Sequence, residues 1–379
     1  MYQVLVVQRR LTHYRVTFFD DLKTALAERG VQLKLLVGHG TPDEEKKQDA
    51  AMLPWAVEIP TRYWMRGRLC WQSLGEHLKS IDMIVVTQEN RLLRNHLLML
   101  APRRFRLAFW GHGANLQSKA RKGLKERFKH WTTRRVDWWF AYTQISADLV
   151  QNAGFPGSRI TVLNNAVDTS ELKHQCDLIT PTESQTLREA LGFSAGPVGV
   201  YVGSLYAEKR LDFLFAAAEG IRREIPGFQL LVVGDGPQRE EVRAWCEGRP
   251  WARWVGARFG GEKVLYQSIA DLLMAPGAVG LGVMDAFACQ TPLVTTNCPG
   301  HGPEFAYLEN GINSIITENH VSAYVEACVR LLGDSSALAS LQAGCARSAQ
   351  VYTLENMVER FSDGIISCLE APRKGWWSS

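Results

Sequence analysis

No apolar run in this sequence is long enough to cross a bilayer, so a helical membrane span is excluded. No charged leader with a short apolar stretch precedes the first strand, and a signal peptide is not expected. Cysteine is sparse and scattered, the eight standing at 70, 176, 246, 289, 298, 328, 345 and 368. They form no close pairs and no Cys/His spacing of a zinc site. Reduced, mostly buried thiols of a cytosolic protein are the expectation. Nor does one sign of charge dominate: the net +4 is mild for 379 residues, although unevenly spread. What is there, 46% hydrophobic and 22% charged residues, is the balance of a globular protein. The length fits two cores rather than one.

Strand and helix patterns alternate along the first half. Residues 3–8 (QVLVVQ) read as a buried strand, and 18–29 as an amphipathic helix with Phe18, Leu22, Ala25 and Leu26 on one face. Residues 32–37 close a right-handed βαβ unit. Further strands are predicted at 56–59, 83–87, 107–110, 136–142 and 160–163, with a helix at 146–152. Strands separated by helical patterns mean a parallel sheet covered on both faces. From 169 to 196 the pattern fades into polar residues with Pro181, Gly192 and Gly196, the expected linker. A second series follows, with strands at 198–202, 229–233, 252–254 and 272–275 and helices at 211–221, 238–246 and 263–268. The tail is helical at 321–332, 335–351 and 356–369. The expected fold class is α/β, with two Rossmann-like doubly wound domains, residues 1–168 and 197–355, facing a central cleft. The helix of about 356–379 is expected to pack back on the first domain.

One stretch draws the chain together: MAPGAVGLGVMDAFACQTPLVTTNCPGHGPE, residues 274–304. It runs from a strand into a loop with Gly277, Gly280 and Gly282, then into a short apolar helix and the strand 292–296. Glycines expose backbone N–H groups, and a helix start favours negative charge, so this order suits a phosphate. Asp285, in the first helical turn, is placed to accept sugar or ribose hydroxyls. An ordinary βαβ turn has the same pattern, and both readings stand on these residues alone. Elsewhere, GSLYAEKRLD (203–212) sets Lys209 and Arg210 at a strand-to-helix turn, suited to a diphosphate or to a solvated helix start. Gly234-Asp235-Gly236-Pro237 carries only part of a dinucleotide fingerprint, with Arg239 where the third glycine belongs, and reads better as a structural turn.

These pieces, in this order and spacing, resemble the family-4 retaining glycosyltransferases of the GT-B fold. The likeness runs from Phe140 to about Asn313 through AYTQISADLVQNAGFPGSRITVLNNAVD, YVGSLYAEKRLD, LLVVGDGPQRE and the 274–304 stretch. HYRVTFFDDL (13–22) and FWGHGANLQ (109–117) look like bacterial members that build surface polysaccharides. The resemblance implies roles. Lys209 matches the lysine that neutralises the donor diphosphate, with Gly203, Ser204 and Arg210 beside it. Gly280, Leu281 and Gly282 match the loop that holds the phosphates. Asp285 matches the second carboxylate of an acidic pair, which binds the ribose. Asn165 and Asp168 fall in an NGVD-like turn, and His112 stands where a family histidine contacts the transferred sugar or its phosphate. Three departures stand out. Ser204 replaces an arginine, Gly277 replaces the first carboxylate, and the first loop lacks a double glycine. That loop carries His13, Tyr14 and Arg15 instead, basic and aromatic, which suits an anionic or sugar-bearing acceptor.

The implied reaction is transfer of a sugar from a nucleotide-diphosphate donor to a glycan acceptor, expected to be lipid-linked, with retention at the anomeric carbon. No cofactor is implied, and without an Asp-x-Asp at a strand end no essential metal is expected. A basic segment follows the histidine loop: Lys119, Arg121, Lys122, Lys125, Arg127 and Lys129, with Leu124, Phe128 and Trp131 at helical spacing. It suits an anionic membrane surface, with Trp376-Trp377 as a further anchor, and predicts a cytoplasmic protein peripheral to the inner face of the membrane. No recognised nucleic-acid module accompanies it, so nucleic acid is not an expected partner. Two rival readings remain, a different GT-B enzyme such as a nucleotide-sugar 2-epimerase, and a non-catalytic nucleotide-sugar-binding protein.

Overall fold

The structure, a computed structural model, describes residues 1–45, 50–100, 102–113 and 131–373. The chain forms two compact units, Met1–Asp168 joined by the chain from Leu354 onward, and Thr169–Thr353. The first unit's strands are β1 (Tyr2–Gln8), β2 (Val31–Val37), β3 (Val57–Glu58), β4 (Thr61–Trp64), β5 (Leu69–Gln72), β6 (Met83–Thr87), β7 (Arg106–Gly111), β8 (Trp138–Ala141) and β9 (Ile160–Val162). All but β4 and β5 form one parallel sheet in the order β3-β2-β1-β6-β7-β8-β9. Val4 to Val7 of β1 are buried without alternation, as expected when helices cover both faces. α1 (Val16–Glu28) lays Phe18, Phe19, Leu22 and Leu26 on the sheet. α2 (Pro42–Glu45), α3 (Leu93–Leu100) and α4 (Gln144–Asn152) are its other described helices before residue 168. Strand order reverses about β1, so the loops after β1 and β6 diverge and leave a crevice at their C-terminal ends.

β4 and β5 form an antiparallel hairpin, Thr61 opposite Gln72, that the sequence pattern does not announce. Met65 and Arg66 turn it with φ of 51° and 55°, a conformation their side chains disfavour, and only Gly67 signals a turn.

The second unit has β10 (Val198–Val202), β11 (Gln229–Val233), β12 (Ala252–Trp254), β13 (Leu272–Met274), β14 (Leu293–Thr296) and β15 (Ser314–Thr317). They form a parallel sheet in the order β12-β11-β10-β13-β14-β15, with the reversal between β10 and β13. The stretch 169–196, expected as a linker, instead contributes two helices to this unit: α5 (Ser170–Leu178) and α6 (Pro181–Ala190). Pro181 is not a breaker but the first helical residue. Thr180 caps α6, its hydroxyl accepting from the Glu183 N–H at 3.2 Å while the Glu183 carboxylate accepts from the Thr180 N–H at 2.8 Å. The composition is polar because only one face is covered, Leu187 and Leu191 packing into the core. The remaining helices of the unit are α7 (Leu211–Glu224), α8 (Arg239–Cys246), α9 (Gly260–Ser268), α10 (Gly282–Ala288), α11 (Val321–Leu332) and α12 (Ser335–Val351).

α13 (Leu354–Glu370) belongs to the first unit and packs on α1, β8 and β9. Phe361 stacks on Phe140 with centroids 4.3 Å apart and meets Trp110 edge-on at 5.0 Å. The helix lies so close that a Cβ on Gly364 would sit 2.5 Å from both Phe140 Cε1 and Thr161 Oγ1. No described helix is long and apolar enough to cross a membrane. Gly364→Ala should therefore overpack this seam and lower unfolding free energy by about 1–3 kcal/mol. Urea denaturation reads this, and an unchanged midpoint would mean that the helix does not press on β8 as described.

Candidate functional site

In the second unit a cavity of about 520 Å³ opens at the C-terminal ends of β10 and β13, where the strand order reverses. Gly203, Ser204, Lys209, Gly280, Leu281, Gly282 and Asp285 all line it, so seven expected residues meet in one place. Lys209 ends a single helical turn, Ala207–Lys209, and Arg210 follows with φ of 58° before α7 begins. The Lys209 ammonium donates to the Ala278 carbonyl and lies 5.4 Å from the Tyr206 ring centroid. Burial pushes its pKa down, and no carboxylate pairs with it among the described residues. A half-buried cation whose partner is a neutral carbonyl is an incomplete arrangement that an anion completes. The N–H groups of Gly280 and Leu281 likewise meet no backbone acceptor among the described residues.

Asp285, in the first turn of α10, accepts from Lys263 Nζ at 2.9 Å, and its carbonyl accepts from Gln267. Lys263 also lines the cavity, as do Arg258 and Phe259. Phe259 is 80% exposed, and the buried Arg258 Nε has no partner among the described residues. His301 holds the loop from behind: Val279 N–H donates to its Nδ1 at 3.2 Å, and its Nε2–H donates to the Thr296 carbonyl at 2.9 Å. Arg210 does not reach the cavity. Its guanidinium donates to Asn319 and lies 4.5 Å from the centroid of the Phe213 ring. The Gly234–Gly236 turn ties the loops after β10 and β11 together, its Asp235 carbonyl accepting from the Leu205 N–H at 2.9 Å, and Gly234 and Asp235 also line the cavity.

The other candidates gather in the first unit. His112 follows β7 and stacks on Tyr142, with ring centroids 4.2 Å apart. Burial first, and then the charge of Arg15, push its pKa down to about 4, so it is neutral at pH 7. Arg15, 7% exposed, donates to Asn165 Oδ1 and lies over the Trp110, Tyr14 and Phe18 rings at 5.2, 5.3 and 5.6 Å. His13 and Asp168 are exposed, and Tyr14 is 39% exposed. Arg9, in the same loop, is consumed: it donates to Glu44 at 2.6 and 2.7 Å and lies 3.4 Å from Glu89. Burial would raise the Glu44 pKa, but bonds from Arg9 and Thr41 take it down to about 2. The basic segment 119–129, apart from Trp131, and the Trp376-Trp377 tail lie outside the described residues. Among the described residues no cluster of three His, Cys, Asp or Glu is placed to hold a metal ion.

Residues 16–171 match the family described as Glycosyltransferase Family 4, and residues 196–334 the one described as Glycosyl transferases group 1. The chain belongs to glycosyltransferase family 4. It is similar to a glycogen synthase of Mycobacterium tuberculosis, 28% identical over 229 residues, which are 57% of this chain and 50% of that protein. The chain spans about half the length of the curated relatives it matches, 42% and 50% in two cases. Among solved structures, Anabaena HepE in complex with UDP superposes with a TM-score of 0.68 at 16% identity, covering 97% of this chain and 100% of that one. The lipopolysaccharide outer core galactosyltransferase WaaB, in apo form, superposes with a TM-score of 0.66 at 14% identity, covering 97% and 99%. At such identities the likeness establishes the fold, which is GT-B.

Within this family-4 frame the missing first carboxylate has a steric reason. A Cβ on Gly277 would lie 2.5 Å from the Glu208 carbonyl oxygen and from the Lys209 carbonyl carbon and oxygen. The loop rests directly on the Lys209 turn, and the Ala278 N–H donates to the Glu208 carbonyl at 2.9 Å. Sequence reasoning missed Lys263, Arg258, Phe259, His301, Trp110 and Tyr142. Lys263 lies 22 residues from its partner, beyond any helical spacing, and only its place near the start of a helix hinted at a role.

Restoring the carboxylate with Gly277→Glu should separate the two loops. It should lower the melting temperature and reduce donor binding; improved binding with unchanged melting would contradict the packing described. For His112, ring-proton NMR should give a titration midpoint of about 4, and Arg15→Met should raise it part of the way toward 6.5. Because protonation is disfavoured in the folded state, this group costs stability as pH falls from 6.5 to 4 and costs nothing above 6.5. A midpoint unmoved by Arg15→Met would remove Arg15 as a cause.

Proposed function

We propose that this chain transfers a sugar from a nucleotide-diphosphate donor, with retention at the anomeric carbon, to a glycan acceptor. The observation that carries the reading is the Lys209 ammonium: half-buried, paired among the described residues with a carbonyl rather than a carboxylate, and set in the cavity beside the N–H groups of Gly280 and Leu281, which meet no backbone acceptor there. Charge builds on the diphosphate as the glycosidic bond breaks, and preorganised donors in a sheltered site stabilise that charge without reorganising. In this reading Asp285, which accepts from Lys263, would take the ribose hydroxyls, and the exposed Phe259 would offer a face for the base. His112, neutral at pH 7, is the first unit's candidate for contact with the sugar or its phosphate. Arg210 is not part of this reading, since Asn319 holds it elsewhere.

The acceptor belongs to surface polysaccharide assembly in this reading and is lipid-linked. Support comes from the fold shared with the lipopolysaccharide galactosyltransferase WaaB and from the basic, aromatic run at 119–131 in the sequence. That run would hold the enzyme at the cytoplasmic membrane face.

Lys209→Met keeps the aliphatic stem and removes the charge. Turnover of the preferred nucleotide sugar should fall by about 10²–10³-fold, the scale for losing one oxyanion donor, with the melting temperature unchanged. Native-level turnover in this variant would sink the assignment. Turnover that needs no second sugar and yields an inverted C2 would instead favour the 2-epimerase.

A further inference from the structure

Arg15 is the buried charge that the donor site does not use. Arg15 is 7% exposed, and its guanidinium meets one amide oxygen, Asn165 Oδ1, one thioether, Met357 Sδ at 3.5 Å, and three aromatic faces. No carboxylate pairs with it among the described residues, whereas Arg9 in the same loop takes up Glu44 and approaches Glu89. Aromatic faces return about 0.5–2 kcal/mol each, against a desolvation penalty of several kcal/mol for a buried ion.

A second observation falls in the same cluster. Trp110, 2% exposed, has its Nε1 buried with no partner among the described residues, and so has His112 at Nδ1. Thr87 Oγ1, on the residue paired with Trp110 across β6 and β7, is a third such atom. Trp110 lies under the Arg15 guanidinium and 6.0 Å from Tyr142, on which His112 stacks. A cation without a carboxylate, an indole N–H, an imidazole and a hydroxyl are thus polar groups short of partners among the described residues.

We propose that Arg15, with Trp110, binds an oxyanion, a phosphate or carboxylate, carried by the acceptor beside the hydroxyl that receives the sugar. This rests on the transferase reading above for the word acceptor, though not for the anion site itself. The donor's diphosphate has its own cation in Lys209, which leaves the Arg15 charge for the second substrate. Guanidinium suits such a group because its planar fork matches two oxygens at once.

The test uses the full chain carrying Lys209→Met, which silences the donor site, and titrates inorganic phosphate against chloride at matched ionic strength. Phosphate should raise the melting midpoint, and adding Arg15→Met should abolish the rise. Trp110→Phe keeps the ring and removes the N–H, and should weaken phosphate about five- to tenfold, the worth of one hydrogen bond. This second variant decides the matter if Arg15→Met does not fold. Phosphate protection that is absent from the Lys209→Met chain, or equal in all three variants, overturns the site. A separate arm measures nucleoside diphosphate affinity in the single variant Arg15→Met. Unchanged affinity supports the acceptor as the source of the anion, and a matching loss overturns that assignment in favour of the donor. Failure of the native chain to bind any nucleoside diphosphate would sink the donor reading and leave the phosphate result standing.

Discussion

The contact on which the second unit's site depends is the seam between the Lys209 turn and the loop after β13. Gly277 lets two backbones touch, and the Ala278 N–H reaches the Glu208 carbonyl at 2.9 Å. The same seam brings the Ala278 carbonyl to the Lys209 ammonium and so buries the charge at the cavity wall. A larger side chain at 277 would supply a carboxylate and destroy the arrangement that positions the cation. His301 then braces the far side of the loop through both ring nitrogens. The glycine at 277 thus goes with a close fit of two backbones, and Asp285 is steadied by Lys263.

The first unit is built on a different constraint, aromatic packing around a cation. Phe18, Trp110, Phe140 and Phe361 join α1, the sheet and the returning α13, and Arg15 lies on the edge of this cluster with Asn165 and Met357. Its charge reaches His112 and, after burial, helps to hold that imidazole neutral. The basic character read from the opening loop is thus divided: Arg9 is spent on Glu44, and Arg15 lies among rings with no carboxylate on it among the described residues.

Most of the scaffold was legible because parallel strands buried on both faces are short, continuous apolar runs, as at Val4–Val7 and Leu230–Val233. The linker failed for an instructive reason. In one dimension Pro181 and the polar run read as breakers, yet Thr180 and Glu183 form a capping box, and one apolar row at Leu187 and Leu191 is enough to dock the helix. The hairpin of β4 and β5 escaped because two of its turn residues, Met65 and Arg66, are types that rarely take positive φ.

The sequence by itself determined the family, the doubly wound pattern and the grouping of Lys209, Gly280, Leu281 and Asp285, which line one cavity, since motif order and local spacing survive in one dimension. Only tertiary structure decided which charges are available. Lys263 finds Asp285 across 22 residues, Glu44 neutralises Arg9 across 35, and Asn319 draws Arg210 from the cavity across 109. Ion pairing and burial are properties of proximity in space, and a chain's order does not encode which cations the fold will leave without an anion.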